Sequence, residues 1–402
     1  MSMEQKKKKI AEKIDAANKD LISLSHSIHD NPETGFQEYK AVGFITKLLE
    51  KYGFQSEIGF CGLETSFKAV KKGAQNGPRI SFLAEYDALR GIGHGCGHNI
   101  IAACAVGAFL GLSEVIGDCV GEVSIIGTPA EEGGAGKVVL LERGGFDETD
   151  YALMIHPSGG RDSNLIGRSG RAATSIRLSF HGKAAHSSSP SSGINALSAA
   201  ISVFNQIDLI RPTLQVQDNI NGIILEGGTA ANVIPDLARC AFSLRAETMV
   251  RVKELSKLVI GCIRRAESLT GAAAKITERP IYAERYPNLP MCEAFKNNMD
   301  TLGISMHYPT PGKFFGSSDI GNVSIRIPAI HDYLSIAENE SIKSHTKEFA
   351  AAAIRPKADE ICIKGAKGLA MTGLDILESA RLREEIQRFH ESQIPDIYKE
   401  KR

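Results

Sequence analysis

Between Gly91 and Asn99 the chain reads Gly-Ile-Gly-His-Gly-Cys-Gly-His-Asn, so one cysteine and two histidines fall within five residues, spaced by glycine. A cysteine thiolate and a neutral imidazole are both good ligands for zinc or a similar divalent ion. Glycines let such a loop bend until neighbouring side chains converge on one point. Taken alone, it is equally a glycine-rich turn with incidental histidines. A second signal is Thr128-Pro129-Ala130-Glu131-Glu132-Gly133-Gly134. Two adjacent carboxylates facing one site repel each other. A cation removes that cost for one of them and leaves the other to shuttle a proton. A solvated surface turn is the plain alternative. His156-Pro157 follows the apolar run Tyr151 to Ile155, where a lone histidine is more often a satisfied core residue; His345, in Ser344-His345-Thr346, says little by itself.

The elements that would carry these residues give them weight. Ile10 to Tyr52 reads as helical, with apolar residues at three- and four-residue spacing and a break at Pro32 and Gly35. Short apolar runs follow, each ending in a polar cluster. Arg79 to Ala84 leads into Glu85-Tyr86-Asp87, Glu122 to Gly127 into the glutamate pair, and Tyr151 to Ile155 into His156. A small-residue helix from about Asn99 to Val115 and a shorter one from Lys137 to Arg143 separate them. Alternating strands and helices predict an open α/β sheet with parallel strands. In such sheets ligands bind at the carboxyl ends of the strands, where every one of these clusters falls. Cys96, His98, Glu132, His156 and His345 would suffice for two metal ions, with Glu131 an unligated carboxylate beside the water they activate.

After Arg168 the pattern changes. Thr174 to Phe180 alternates apolar and polar residues, as a half-buried antiparallel strand does. A helix (Ile194 to Asp208), strands (Gly222 to Leu225 and Cys240 to Arg245) and an amphipathic helix (Thr248 to Leu269) follow. Residues 170–283 therefore read as an α+β domain inserted into the sheet domain, which consists of residues 1–169 and 284–402. In the last part, Ile327 to Ile330 is the expected strand, and helix is expected from Lys347 onward.

Bulk composition excludes several classes. The 402 residues are 43% hydrophobic, ample for two cores. Lys+Arg and Asp+Glu total 47 each, a net charge of zero that favours neither nucleic acid nor an anionic membrane as partner. The basic run Lys6 to Lys9 reads as a solvated helix start. No run is apolar enough for a membrane span, and there is no secretory signal. Eight scattered cysteines suit reduced thiols in the cytoplasm.

The ordered motifs resemble the aminoacylase and carboxypeptidase family of two-metal hydrolases, in its amidohydrolase branch, near the p-aminobenzoyl-glutamate hydrolase and aminoacylase-1-like subgroup. The matching stretches are Ala84 to Leu89, Gly93 to Asn99, Pro129 to Gly134, Met154 to Pro157, Ala230 to Asp236 and Gly316 to Ser324, and the likeness runs from about Ser25 to Leu374. It implies a zinc-aminopeptidase-like α/β fold, a mixed sheet with helices on both faces, and an inserted α+β lid that also forms a homodimer or higher homo-oligomer. It implies two divalent ions, zinc or manganese with cobalt a further option, held by Cys96, His98, Glu132, His156 and His345. Glu131 matches the general base, and Glu85 and Asp87 match residues that orient the site. His186, ending Phe180 to His186, matches a lid histidine that reaches a substrate carbonyl, often across the dimer; His181 is structural. Asn232 and Arg245 match lid positions that contact a substrate carboxylate, for which a guanidinium fork is suited. One departure is Arg90, where relatives usually carry proline; it bears on which substrate is taken.

The expected activity is hydrolysis of the amide bond of a small N-acyl or aminobenzoyl amino acid or dipeptide-like substrate bearing a carboxylate. A hydrolytic deaminase of an aromatic amine would use the same activated water. A catalytically silent metal-bound interaction protein would have no need of Glu131, and a nucleophilic or redox Cys96 would leave the glutamate pair and His156 unexplained.

Overall fold

Ile80 to Ala84 and Val123 to Ile126 are apolar but for one buried serine each, Ser81 and Ser124, which hydrogen-bond each other at 2.7 Å, and both become central strands buried on two faces, as parallel strands of an α/β sheet must be. The computed structural model describes residues 1–160, 163–310, 316–337, 339 and 341–399. Its larger sheet has six strands in the order Glu57–Ile58, Phe67–Lys72, Val120–Gly127, Gln75–Ala84, Tyr151–Gly159, Ala329–Ala337. The last four run parallel and the first two antiparallel, so the sheet is mixed.

Strand periodicity divides the apolar side chains between two layers. Ile80, Phe82, Val123, Ile125, Leu153 and Ile155 pack with Ile14, Leu21, Val106, Phe109 and Leu369 of the helices Met3–Asp30, His98–Ser113 and Pro356–Glu378. Leu83, Ile126, Ala152 and Met154 face the other way, onto Leu140, Ile320 and Val323 of two short helices. Each fully buried large side chain stabilises by about 1.5–3 kcal/mol. The His98–Ser113 helix is sheathed almost completely, which its small residues permit. A Cβ at Gly107 would meet the Cβ of Ala366 at 2.8 Å, and one at Gly111 would meet Ile14 Cδ1 at 2.7 Å.

Two expectations change. Lys6 is not solvated: it is 4% exposed, and its Nζ donates to Glu378 at 2.8 Å and to the Asp118 carbonyl at 3.2 Å. Lys7 pairs with Asp375. The start of the first helix is thus pinned to the end of the helix Pro356–Glu378 by charge-assisted contacts. The last strand lies later than Ile327–Ile330, at Ala329–Ala337, because His331, Asp332, Tyr333 and Ser335 are all buried in it and interrupt the apolar pattern.

The chain divides into two compact units, Met1–Ser169 with Arg285–Arg402, and Gly170–Glu284. The second holds an antiparallel four-stranded sheet in the order Ala273–Glu278, Ala172–His181, Leu237–Ala246, Asn219–Glu226. Ile176, Leu178 and Phe180 point into its core, as their alternation predicts, with Phe242, Leu255, Val259 and Ile263. Its helix Met249–Thr270 is capped at Thr248, whose side chain accepts the Arg251 N–H, and ends on Gly271 at φ 74°. Strand pairing of Ala173 with Tyr282 brings the start and end of this unit together, and Arg285 donates to the Ser169 carbonyl at 3.1 Å on the other side of the junction. No helix among the described residues is long and apolar enough to cross a membrane.

Candidate metal centre

Sheet register brings the polar clusters to one edge. Ala84 pairs with Gly127 and Phe82 with Leu153, so Glu85 to Asp87, Thr128 to Glu132 and His156 leave the sheet side by side. The Thr128 N–H closes onto the Ala84 carbonyl at 2.8 Å. Gly97, at φ 74°, turns the chain between Cys96 and His98, and a Cβ there would meet Pro157 at 2.9 Å. Glycine is therefore required both for the turn and for the close approach. The loop carrying the two glutamates is held in a costlier shape: Ala130 (φ 60°) and Ala135 (φ 56°) are both left-handed. Buried Glu38 fixes that loop by accepting the Ala130 N–H at 2.8 Å. His345 arrives from late in the chain and is tied in by its N–H to the Gly95 carbonyl at 2.8 Å.

Three overlapping groups of potential ligands result. Cys96, His98 and His156 offer one atom each within 4.8 Å of one another, and so do Cys96, Glu132 and His345, and His98, Glu131 and Glu132. Cys96 belongs to both of the first two. His98 Nε2 lies 3.9 Å from Glu132, and His345 Nε2 lies 3.7 Å from the other oxygen of Glu132. Asp87 supports two of these residues at once. Its Oδ1 takes the His98 Nδ1–H at 2.9 Å, and its Oδ2 takes the Glu132 backbone N–H at 2.8 Å. The proton on Nδ1 leaves the Nε2 lone pair pointing into the cluster. His156 is oriented likewise by donating Nδ1–H to the Pro157 carbonyl at 2.6 Å.

The electrostatics are those of a site built for cations. Burial opposes ionisation of Asp87, yet His98 and the two hydrogen bonds outweigh it and hold its carboxyl low. Burial likewise opposes the His98 imidazolium, but Asp87, Glu85 and Glu132 raise it well above the ordinary value. Burial and then the Glu132 carboxylate push the Cys96 thiol up; burial and then Glu85 and Glu132 push the Glu131 carboxyl up. His156 is pushed well below its ordinary value by burial, then by His98 and by Arg168 and Arg285 beyond it. Among the described residues, buried His98 Nε2 and Glu132 Oε1 have no hydrogen-bond partner. Unsatisfied buried donors and acceptors are costly. Aimed at one point among thiol, imidazole and carboxylate groups, these fit divalent ions.

Other predicted residues sit elsewhere. Glu85 is fully buried, 3.4 Å from His98 Nε2, with its second oxygen bound by Lys137. His186, Asn232 and Arg245 belong to the second unit, where His186 is exposed and hydrogen-bonded to Ser188 at 2.8 Å. The Asn232 carbonyl accepts the Ser187 N–H at 3.0 Å. His181 bonds Ser179 at 3.0 Å, and His94, the loop's other histidine, turns away to the Ile28 carbonyl at 3.1 Å. Arg90 lies on the surface. Lys137, Asp319 and Glu38 were given no role by the sequence. Asp319 lies within the motif Gly316 to Ser324, which was a usable signal, whereas a lysine opening a helix is ordinary.

Residues 166–268 match a peptidase dimerisation domain. The Xaa-Arg dipeptidase of Mus musculus is 34% identical over 96% of this chain and 92% of its own length, and that of Homo sapiens is 33% identical over the same shares. One component of the p-aminobenzoyl-glutamate hydrolase of Escherichia coli is 28% identical over 61% of this chain and 55% of its own. Among solved structures, a dinuclear metal-binding peptidase of the M20 family from Bacillus subtilis superposes with a TM-score of 0.64 at 20% identity, covering 90% of this chain and 99% of that one. An aminobenzoyl-glutamate utilization protein from Klebsiella pneumoniae superposes with a TM-score of 0.69 at 19% identity, covering 88% and 97%. At such identities the structural likeness is one of fold. The chain belongs to the M20 family of metal-dependent peptidases and amidohydrolases.

Proposed function

We propose that this chain hydrolyses the amide bond of a small dipeptide or N-acyl or aminobenzoyl amino acid that carries a free carboxylate. The observation that carries the reading is the sharing of Cys96 between two ligand triads, with Glu131 beside them. Two divalent ions, zinc or manganese with cobalt a further option, held by Cys96, His98, Glu132, His156 and His345, would supply a water of lowered pKa and polarise the substrate carbonyl. Glu131, beside those ligands, would accept a proton from such a water and pass it to the leaving nitrogen. His186, from this chain or a partner copy, donates to the oxygen on which charge develops. Asn232 and Arg245 bind the substrate carboxylate. The dipeptidase relatives support a dipeptide as the first substrate to try.

The second unit offers a surface for the homodimer that its family match suggests. Its edge strand Asn219–Glu226 exposes Ile223 (59%), Ile224 (42%) and Leu225 (56%), an apolar edge that proteins seldom leave uncovered. A reducing compartment, the cytoplasm, suits the eight free thiols of the chain.

Glu131→Gln tests the mechanism. With dipeptides and N-acyl or aminobenzoyl amino acids offered in the presence of zinc, manganese or cobalt, the variant is expected to lose turnover by about 100-fold or more while binding the same amount of metal. Turnover near that of the parent would refute the assignment of Glu131.

A further inference from the structure

Lys137 opens the helix Gly136–Glu142 with its ammonium fully buried. Nζ donates to Glu85 at 2.5 Å and to Asp319 at 2.8 Å, and the Lys137 backbone N–H donates to the second Asp319 oxygen at 3.0 Å. Glu131 joins the same cluster: oxygens of Glu85, Glu131 and Asp319 lie within 4.8 Å of one another. Three buried carboxylates at that spacing make a pocket for a hard divalent cation. Here a side-chain ammonium stands among them. Burying such a charge costs several kcal/mol unless close counter-charges offset it.

The cluster also touches the candidate metal centre. Glu85 Oε2 is buried with no hydrogen-bond partner among the described residues, 3.4 Å from His98 Nε2. Glu131 Oε2 lies 4.0 Å from the same nitrogen. Either carboxylate is thus near enough to be drawn in as an extra ligand if nothing held it back. An ammonium holds carboxylates by directed hydrogen bonds and carries only a single charge, so it offsets part of their charge without gathering them into a coordination shell.

We infer that Lys137 is a positioning residue: it acts as the built-in cation of the Glu85, Glu131 and Asp319 cluster and so keeps Glu131 next to the metal ligands but outside their set. This rests on the proposed function in taking Glu131 as the proton-transferring group.

The test uses the full chain as Lys137→Met and as Lys137→Met with Asp319→Asn, the second removing one negative charge for the positive charge lost. Manganese bound per chain is counted by elemental analysis after equilibrium dialysis, and kcat and KM are measured on a dipeptide. Lys137→Met is expected to bind one more ion than the parent, and its kcat to fall about 100-fold, the scale of a misplaced catalytic group, while KM stays within about 3-fold. The double variant should return to the parent's ion count without recovering kcat. An unchanged ion count with kcat within about 3-fold of the parent in a folded variant overturns the inference, since a mere structural counter-ion behaves that way. Failure of both variants to fold overturns it too. A parent that binds no metal pair or cleaves none of the substrates instead sinks the proposed function, and the change in ion count still reports on Lys137 separately.

Discussion

Asp87→Asn probes the support of the candidate metal centre in one atom. Asp87 is 1% exposed, and each of its oxygens accepts from a different donor, His98 Nδ1–H at 2.9 Å and the Glu132 N–H at 2.8 Å. Asparagine has the same shape but replaces one oxygen by a donor. Whichever way the amide is turned, one contact becomes donor against donor. On the His98 side the imidazole proton then moves to Nε2, the atom that must be bare to bind an ion. A hydrogen bond to a charged group contributes about 1.5–3 kcal/mol. At about 1.4 kcal/mol per factor of ten, ion affinity should fall by about 10- to 150-fold. Competition titration against a chromophoric chelator measures this directly, and thermal unfolding with and without metal gives a second reading. The metal-free protein should itself melt lower, since it loses the same buried contact, and the stabilisation conferred by metal should shrink as well. An affinity within about twofold of the parent would mean that Asp87 does not set the His98 tautomer.

Two further outcomes test other parts of the molecule. Burial, with Asp87 nearby, pushes the Glu38 carboxyl up from 4.5 to about 7. The folded state therefore holds that proton more tightly than the unfolded chain, and the stability this gives is full below about pH 4.5 and lost as pH rises through about 7. Glu38→Gln, which keeps an acceptor for the Ala130 N–H, should flatten this slope and be about 3 kcal/mol more stable at pH 8 in urea melts of the metal-free protein; parallel pH profiles of parent and variant would exclude it. If the chain dimerises as proposed, Ile223→Lys with Leu225→Lys on the exposed edge strand should give a monomer in light scattering without loss of secondary structure. A parent that already runs as a monomer would remove the basis for that edge as an interface.

Local patterns pointed to most of the residues that the fold gathers at the candidate metal centre. The spacing of Cys96 and His98 between glycines, and the glutamate pair after an apolar run, each place chemistry at a strand end, and the register puts those ends together. Long-range partnerships were not readable in the same way. Lys137 looks like an ordinary surface lysine of an amphipathic helix, and only the fold brings Glu85 and Asp319, from opposite ends of the chain, to its ammonium. The burial of Lys6 escaped for the same reason, since its partner Glu378 lies at the far end of the chain. Among strands, Phe67–Lys72 was hidden because Lys68, Lys71 and Lys72 dilute its apolar face. His331 and Tyr333 hid the true extent of the last strand by placing polar rings inside it.

The junction of the two units has a topological consequence. Ala173 and Tyr282 pair across the mouth of the insertion, and Ser169 and Arg285 are hydrogen-bonded on the host side. Seen from the host sheet, more than a quarter of the polypeptide is spliced in at what amounts to a tight turn. The entropy of closing a loop depends on where its ends lie, and these ends are held together from both sides. Swapping Gly170–Glu284 for a few glycines and serines should therefore leave a host whose own chain ends still meet at Ser169 and Arg285.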